Sequence, residues 1–250
     1  MKIVILSGGL GTRLGQITSK IPKPMVKIGG MPILWHLINF YASYGLNDFV
    51  IALGYKSEII KKFFNLKKIN KKSEENYIQC KSINGNILNI TLKNTGLNTL
   101  TGGRLLRLKK FLKNESFMLT YGDGLSDVNI FSLLKFHKKH KKIATVTGVH
   151  PIARFGELNI NGIKVKKFKE KPQINKGWIN GGFFVMEPKI FKYLENDRTV
   201  LEGKPLEKLA TDNQLMAYLH KKFWYCMDTP RDKDNLEEMW RKNDAPWKKW

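Results

Sequence analysis

Over the first 150 residues, short apolar runs alternate with amphipathic stretches, and glycine or proline stands at many of the changeovers. The run at 2–6 predicts a strand, since it has strand length and Gly8 and Gly9 cut it off. Pro32 opens a helix whose apolar face is Ile33, Leu34, Leu37, Ile38 and Tyr41, with Gly45 beyond its end. Proline in the first turn and glycine past the last are helix punctuation. Residues 48–53 predict a buried strand, and Ser57 is placed to cap a helix over 58–64. Residues 65–86 are polar, lysine-rich and poorly patterned, which predicts a mobile excursion. A strand follows at 86–92, a helix at 103–113 and a strand at 116–120. Asp127 is placed to cap a helix over 128–138, and 143–149 predicts a further strand.

Beyond 150 the pattern changes. Asn161-Gly162 between two short strands is a hairpin signal. Residues 178–186 read as a strand, two short helices follow near 188–195 and 205–211, and 215–227 returns to β structure. An amphipathic helix over 232–242 closes the chain, and no internal repeat or low-complexity linker interrupts it. Strands alternating with helices imply a mostly parallel sheet covered on both faces. The expected fold is therefore α/β: a Rossmann-like, mostly parallel mixed sheet flanked by helices, with a β-rich later portion. At 250 residues the chain has the length of one large domain, read here as 1–150 and 151–250.

The formal charge of +23 raises nucleic acid as a partner. Only seven cations are arginine, and the lysines are scattered in short pairs such as Lys61-Lys62 and Lys221-Lys222. With no aromatic-interleaved basic stripe, a chain-wide compositional bias is the simpler reading, and specific nucleic-acid binding is not expected. Cys80 and Cys226 have no metal-site spacing and suit a reducing cytosol. The start is too short for a signal peptide's apolar region, and no apolar run approaches the ~20 residues of a membrane span. A cytoplasmic location is expected. His137 and His140 share a helical face among lysines that would repel a metal ion, and read as a solvated face.

The first strand runs into Leu6-Ser7-Gly8-Gly9-Leu10-Gly11-Thr12-Arg13-Leu14. Glycines there let backbone N–H groups converge on an anion and let a ligand approach without a Cβ in the way. Arg13 adds a planar donor fork, and Lys23 stands between Pro22 and Pro24, which stiffen its backbone. Loop and cations together read as a triphosphate cradle. A dinucleotide fingerprint would need glycine where Leu14 stands, and a Walker A loop would need glycine where Arg13 stands. A glycine-rich hairpin without a ligand is the competing reading, and the two cations weigh against it.

In Tyr121-Gly122-Asp123-Gly124, an aspartate flanked by glycines follows a strand end, where open α/β sheets bind ligands. It suits a Mg²⁺ ligand, and Asp228 could supply a second carboxylate, since Mg²⁺ takes few protein carboxylates and completes its shell with phosphate and water. Glu170-Lys171-Pro172 repeats the proline-stiffened lysine and could hold the phosphate of a second substrate. Asn180-Gly181-Gly182 offers an amide to a sugar hydroxyl. Each of these alone is as readily structural.

Together these motifs resemble the sugar-1-phosphate nucleotidylyltransferases. Thr101-Gly102-Gly103-Arg104-Leu105, the run at 121–128, the run at 177–184 and the ending Ala245-Pro246-Trp247-Lys248-Lys249-Trp250 narrow the likeness to the branch that uses CTP and glucose 1-phosphate. It covers almost the whole chain and departs at 65–86. The resemblance implies that CTP and α-D-glucose 1-phosphate give CDP-glucose and pyrophosphate, for deoxysugar and surface-polysaccharide (O-antigen) synthesis. It implies a nucleotide site of Leu6, Ser7, Gly8, Gly9, Leu10, Gly11, Thr12, Arg13, Lys23, Thr101, Gly103, Arg104 and Gly122, with Arg13 and Lys23 catalytic. It places Glu170, Lys171 and Asn180 at the sugar phosphate and Mg²⁺ on Asp123 and Asp228, in a homo-oligomer expected to be a hexamer. The same chemistry with UTP or dTTP, and a silent nucleotide-sugar-binding module, are the alternatives. Cytosine presents O2 and N3 as adjacent acceptors, so a guanidinium fork could read it, and Arg104 is the expected reader.

Overall fold

In a computed structural model of the chain, residues 1–69, 76–151, 157–161, 163–169 and 177–250 are described. Eight strands make the central sheet: β1 (Ile3–Ser7), β2 (Asp48–Leu53), β3 (Tyr77–Lys81), β4 (Ile87–Asn94), β5 (Phe117–Tyr121), β6 (Ala144–Val149), β7 (Ile179–Met186) and β8 (Leu215–His220). Their order is β8-β6-β7-β5-β1-β2-β4-β3. All run in one direction except β3 and β7. This is the expected mixed, mostly parallel α/β sheet. It crosses position 150 without a break, because β6, β7 and β8 continue it on one side of β5.

The reason a continuous apolar run becomes a strand here is visible in β1. Successive strand residues face opposite sides. Ile3 and Ile5 pack with helix α1 (Ile33–Ala42), while Val4 and Leu6 pack on the other side with Leu105 of helix α3 (Thr101–Arg107). A strand buried on both faces has to be apolar at every position. The remaining longer helices are α2 (Ser57–Lys67), α4 (Ile130–His140), α5 (Lys204–Thr211) and α6 (Pro230–Arg241). As the Asn161-Gly162 signal predicts, Glu157–Asn161 pairs antiparallel with Lys164–Lys169; Gly162 lies outside the described residues.

Several local expectations are corrected. Ser57 is the first residue of α2 rather than its cap; the cap position is Lys56, in left-handed conformation with φ of 49°. The predicted excursion at 65–86 holds the end of α2 and the edge strand β3, whose Ile78 and Cys80 are buried on alternate positions. Positions 70–75 are outside the described residues. The helix predicted at 103–113 begins at Thr101 and breaks at Leu108 before a second turn, Lys109–Leu112. Asn129, not Asp127, caps α4, its Oδ1 accepting the Ser132 N–H at 2.9 Å. Asp127 faces His220 Nε2 at 2.9 Å instead. Helix α6 starts at Pro230 behind a capping box of Thr229 and Asp232. His137 is buried rather than solvated: His137 Nδ1 and His140 Nε2 approach Thr145 Oγ1 at 2.8 and 2.6 Å, and His137 Nε2 meets Glu187 at 3.0 Å.

The C-terminal segment is part of the core. Trp247 has no solvent exposure, stacks on Phe223 and donates from Nε1 to His36 Nδ1 at 3.2 Å. His36 Nε2 lies 2.8 Å from the Ile28 carbonyl. An N–H from Trp247 requires an unprotonated Nδ1, so Nε2 carries the hydrogen donated to Ile28. Burial holds the His36 pKa below the ordinary imidazole value, against the opposing bond to Ile28.

Candidate active site

The carboxyl ends of β1 and β5 and the amino end of the reversed strand β7 meet along one edge of the sheet, over a cavity of about 610 Å³. β1 delivers the glycine loop. Thr18 Oγ1 donates to the carbonyls of Gly11 at 2.9 Å and Gly15 at 3.1 Å and so holds the loop closed. Gly11 has a φ of +64°, a conformation that L side chains rarely adopt. Leu6, Ser7, Gly8, Gly9, Gly11, Thr12 and Arg13 line the cavity; Leu10 is not among its lining residues and is half exposed.

Three charged side chains meet on its floor. Lys23 Nζ lies 2.6 Å from Asp123 Oδ2 and 2.5 Å from Asp228 Oδ1. Arg13 reaches across from the loop to Asp228 Oδ2 at 2.7 Å, its side chain 72 % exposed against 12 % for Lys23. Lys23 is thus held in place, whereas Arg13 is a solvated arm. Burial opposes the Lys23 charge, but the Asp123 carboxylate and the bonds to both aspartates outweigh it and raise the lysine above its ordinary range. Burial likewise pushes the Asp228 carboxyl up, and Lys23 and Arg13 overcome that and hold it below the usual value. The Cys226 thiol beside them is pushed up by burial and by Asp123.

The donor atoms of Asp123, Cys226 and Asp228 lie within 4.8 Å of one another. The ammonium of Lys23 already sits against both carboxylates, so the place is built for positive charge. Two hard oxygens suit Mg²⁺, whereas a thiol that stays protonated does not. The residues therefore fit a hard divalent cation held by Asp123 and Asp228.

Of the other residues expected at the nucleotide, Thr101, Arg104 and Gly122 line the cavity, and Gly103 does not. Gly103 is small for a packing reason: a Cβ there would lie 2.4 Å from the Asp197 carbonyl oxygen. Arg104 corrects an expectation. It lines the cavity, but its terminal nitrogens are occupied within the protein. Nη1 donates to the carbonyls of Leu53 at 3.2 Å and Gly96 at 2.7 Å and to Thr95 Oγ1 at 2.8 Å. Nη2 donates to the carbonyls of Gly8 at 2.9 Å and Leu97 at 3.1 Å. A fork spent on five protein acceptors has no N–H left on Nη1 or Nη2 for a base edge. It also gives Gly8 a second reason: a Cβ there would stand 2.2 Å from Arg104 Nη1.

On the other wall, the pairing of β7 with β6 shifts register between Asn180 and Phe184, and Gly182 takes a φ of +77°. This bulge aims the Asn180 end of β7 at the cavity, which Asn180 and Gly181 line. Glu170 and Lys171, expected at the sugar phosphate, lie outside the described residues. Sequence reasoning missed Tyr121, Thr99 and Trp224 as lining residues, and Glu202, which holds Tyr121 and Thr101. Tyr121 stood inside a quoted motif; nothing in the local pattern around Glu202 pointed to a site.

Known proteins bear on this geometry. Glucose-1-phosphate cytidylyltransferase of Salmonella typhimurium is 45% identical over 256 residues, covering 100% of both chains. A UDP-glucose pyrophosphorylase solved with UDP-glucose has a TM-score of 0.70 at 17% identity, over 97% of this chain and 98% of that one. HddC from Yersinia pseudotuberculosis, solved with GMP-PN, has a TM-score of 0.70 at 24% identity, over 96% of this chain and 99% of that one. At such identities the two structures speak to the fold alone. The sequence pattern of the nucleotidyl transferases matches residues 2–241, and this chain belongs to that family.

Proposed function

We propose that this chain transfers a cytidylyl group from CTP to α-D-glucose 1-phosphate, releasing pyrophosphate and CDP-glucose. The observation that carries the reading is the clasp of Lys23 between Asp123 and Asp228, at the strand ends beside the glycine loop. The full-length 45% identity to a glucose-1-phosphate cytidylyltransferase supports cytosine and glucose as the particular base and sugar.

The reaction brings two polyanions together. A phosphate oxygen of the sugar attacks the α-phosphorus in line, the bond to the β-phosphate breaks, and its electron pair leaves on pyrophosphate. The nucleophile is already anionic, so no general base is needed, and catalysis becomes positioning and charge neutralisation. The glycine loop and Arg13 hold the triphosphate and the departing pyrophosphate. Lys23 turns from its aspartates to the α-phosphate, where negative charge develops. Asp123 and Asp228 would hold Mg²⁺, which would supply charge neutralisation on the phosphate oxygens. Lys171 serves the sugar phosphate, and Glu170 and Asn180 the sugar, in the 151–250 part. No helix among the described residues is long and apolar enough to cross a membrane. A cytoplasmic homo-oligomer, hexameric by resemblance and serving surface-polysaccharide synthesis, completes the reading.

Pyrophosphate release tests it. The chain is incubated with glucose 1-phosphate, Mg²⁺ and CTP, UTP, dTTP, GTP or ATP in turn. CTP should turn over fastest, and chelation of divalent cations should abolish release. Faster turnover with UTP or dTTP would reassign the base, and no release with any nucleotide would leave a binding module.

A further inference from the structure

The segment between β7 and α5 carries no motif, yet it is fastened to both walls of the cavity. The Thr199 carbonyl accepts the Gly102 and Gly103 N–H groups at 2.9 and 3.1 Å, at the start of α3. Arg107 Nε donates to the Asp197 carboxylate at 2.8 Å. Glu202 sits at the end of this segment, exposed and outside the set of lining residues. Its Oε2 accepts from Thr101 Oγ1 at 2.6 Å, and its Oε1 accepts from the Tyr121 hydroxyl.

The directions of these bonds decide what the lining residues can offer a ligand. An ionised carboxylate only accepts, so the Tyr121 hydroxyl must donate to Glu202. The phenolic oxygen is then an acceptor, and Asn180 Nδ2 donates to it at 3.3 Å. Asn180 Oδ1 accepts the Gly182 N–H at 2.8 Å, which sets the amide the same way round. One Nδ2 hydrogen is left to donate into the cavity. Gly182 is open enough for this stack because a Cβ there would lie 2.5 Å from the Tyr121 ring. A carboxylate beside two anionic substrates is electrostatically unhelpful, so its use here is geometric.

We propose that Glu202 is a positioning residue that sets, through Tyr121, the donor direction of Asn180 toward a hydroxyl of the sugar 1-phosphate. This rests on the function proposed above. Thr101, on the same carboxylate, ties the nucleotide wall to the sugar wall.

The test compares Glu202→Ala, Glu202→Gln and Tyr121→Phe with the unchanged chain. Two readouts are used: calorimetric binding of glucose 1-phosphate and of its 2-, 3-, 4- and 6-deoxy analogues, and KM and kcat for pyrophosphate release. The unchanged chain should bind glucose 1-phosphate roughly tenfold tighter than one of the analogues, as loss of one paired hydrogen bond implies. Glu202→Ala and Tyr121→Phe should shrink that ratio to about twofold and raise KM for the sugar phosphate more than for CTP. Glu202→Gln, whose amide oxygen still accepts from Tyr121, should retain most of it. A ratio untouched in Glu202→Ala, or equal losses on glucose 1-phosphate and every analogue, would overturn the positioning role while leaving the activity standing. An unchanged chain that binds no glucose 1-phosphate would overturn both.

Discussion

Arg104 Nη2 donates to the carbonyl of Gly8 at 2.9 Å, so the glycine loop is held by a buried cation that has no carboxylate partner among the described residues. Burial and the nearby Arg107 charge lower its pKa, yet an arginine stays charged. Arg104→Ala should cost about 3 kcal/mol of stability, because the Gly96 and Leu97 carbonyls lose the guanidinium donor and those of Gly8 and Leu53 lose one of theirs. It should also raise KM for CTP, since the loop loses its support. The ratio of kcat/KM for CTP over UTP should stay within about threefold of the unchanged chain. A collapse of that ratio would return base reading to Arg104.

Asp123→Asn and Asp228→Asn should each lower kcat by about 100-fold or more at saturating Mg²⁺, because an amide cannot balance a divalent cation beside a polyanion. Both side chains are 23 % exposed, so thermal unfolding should move little. Pyrophosphate release across a Mg²⁺ titration checks this, and near-normal turnover in either variant would remove that residue from the metal site.

Lys23→Ala should reduce kcat by about 100- to 1,000-fold with a smaller change in KM, as expected for a charge used mainly in the transition state. Arg13→Ala, which removes an exposed arm, should act chiefly on KM for CTP. Steady-state kinetics of the two variants decide the division; identical profiles would contradict it.

Trp247→Ala should destabilise the fold by about 3–5 kcal/mol, the usual cost of emptying a buried indole site. His36 adds a pH dependence. Its folded pKa lies below its unfolded value near 6.5, so the unfolded chain binds the extra proton first. Its contribution is complete above that value and is lost as pH falls through the depressed folded one. Thermal melts between pH 7 and pH 5 should slope downward, and His36→Gln should flatten part of that slope. An unaltered slope would mean that other groups, such as His140, whose pKa burial also lowers, carry it all.

The strands and helices that were legible in the chain are those whose own pattern suffices. β2 at Asp48–Leu53 and α1 behind Pro32 needed only an apolar run and a proline. β3 was not legible, because an edge strand is buried on one face only, and its two apolar positions sat inside a lysine-rich stretch. The caps at Ser57 and Asp127 failed for a related reason. A capping side chain is one of several that local sequence permits, and packing selects among them.

The sequence by itself determined the chemistry available: glycines in the loop, a proline-flanked lysine, and aspartates at strand ends. Lys23, Asp123 and Asp228 could be named singly because residue type and local motif carry that information. Tertiary structure alone decided what each side chain faces. Lys23 and Asp228 are 205 positions apart and meet only through the sheet order. The same arrangement spends the Arg104 fork on carbonyls from three separate chain segments and brings Glu202 against Tyr121 across 81 positions. A local pattern reports which groups a chain offers; which of them are paired, and with what, is settled by long-range packing.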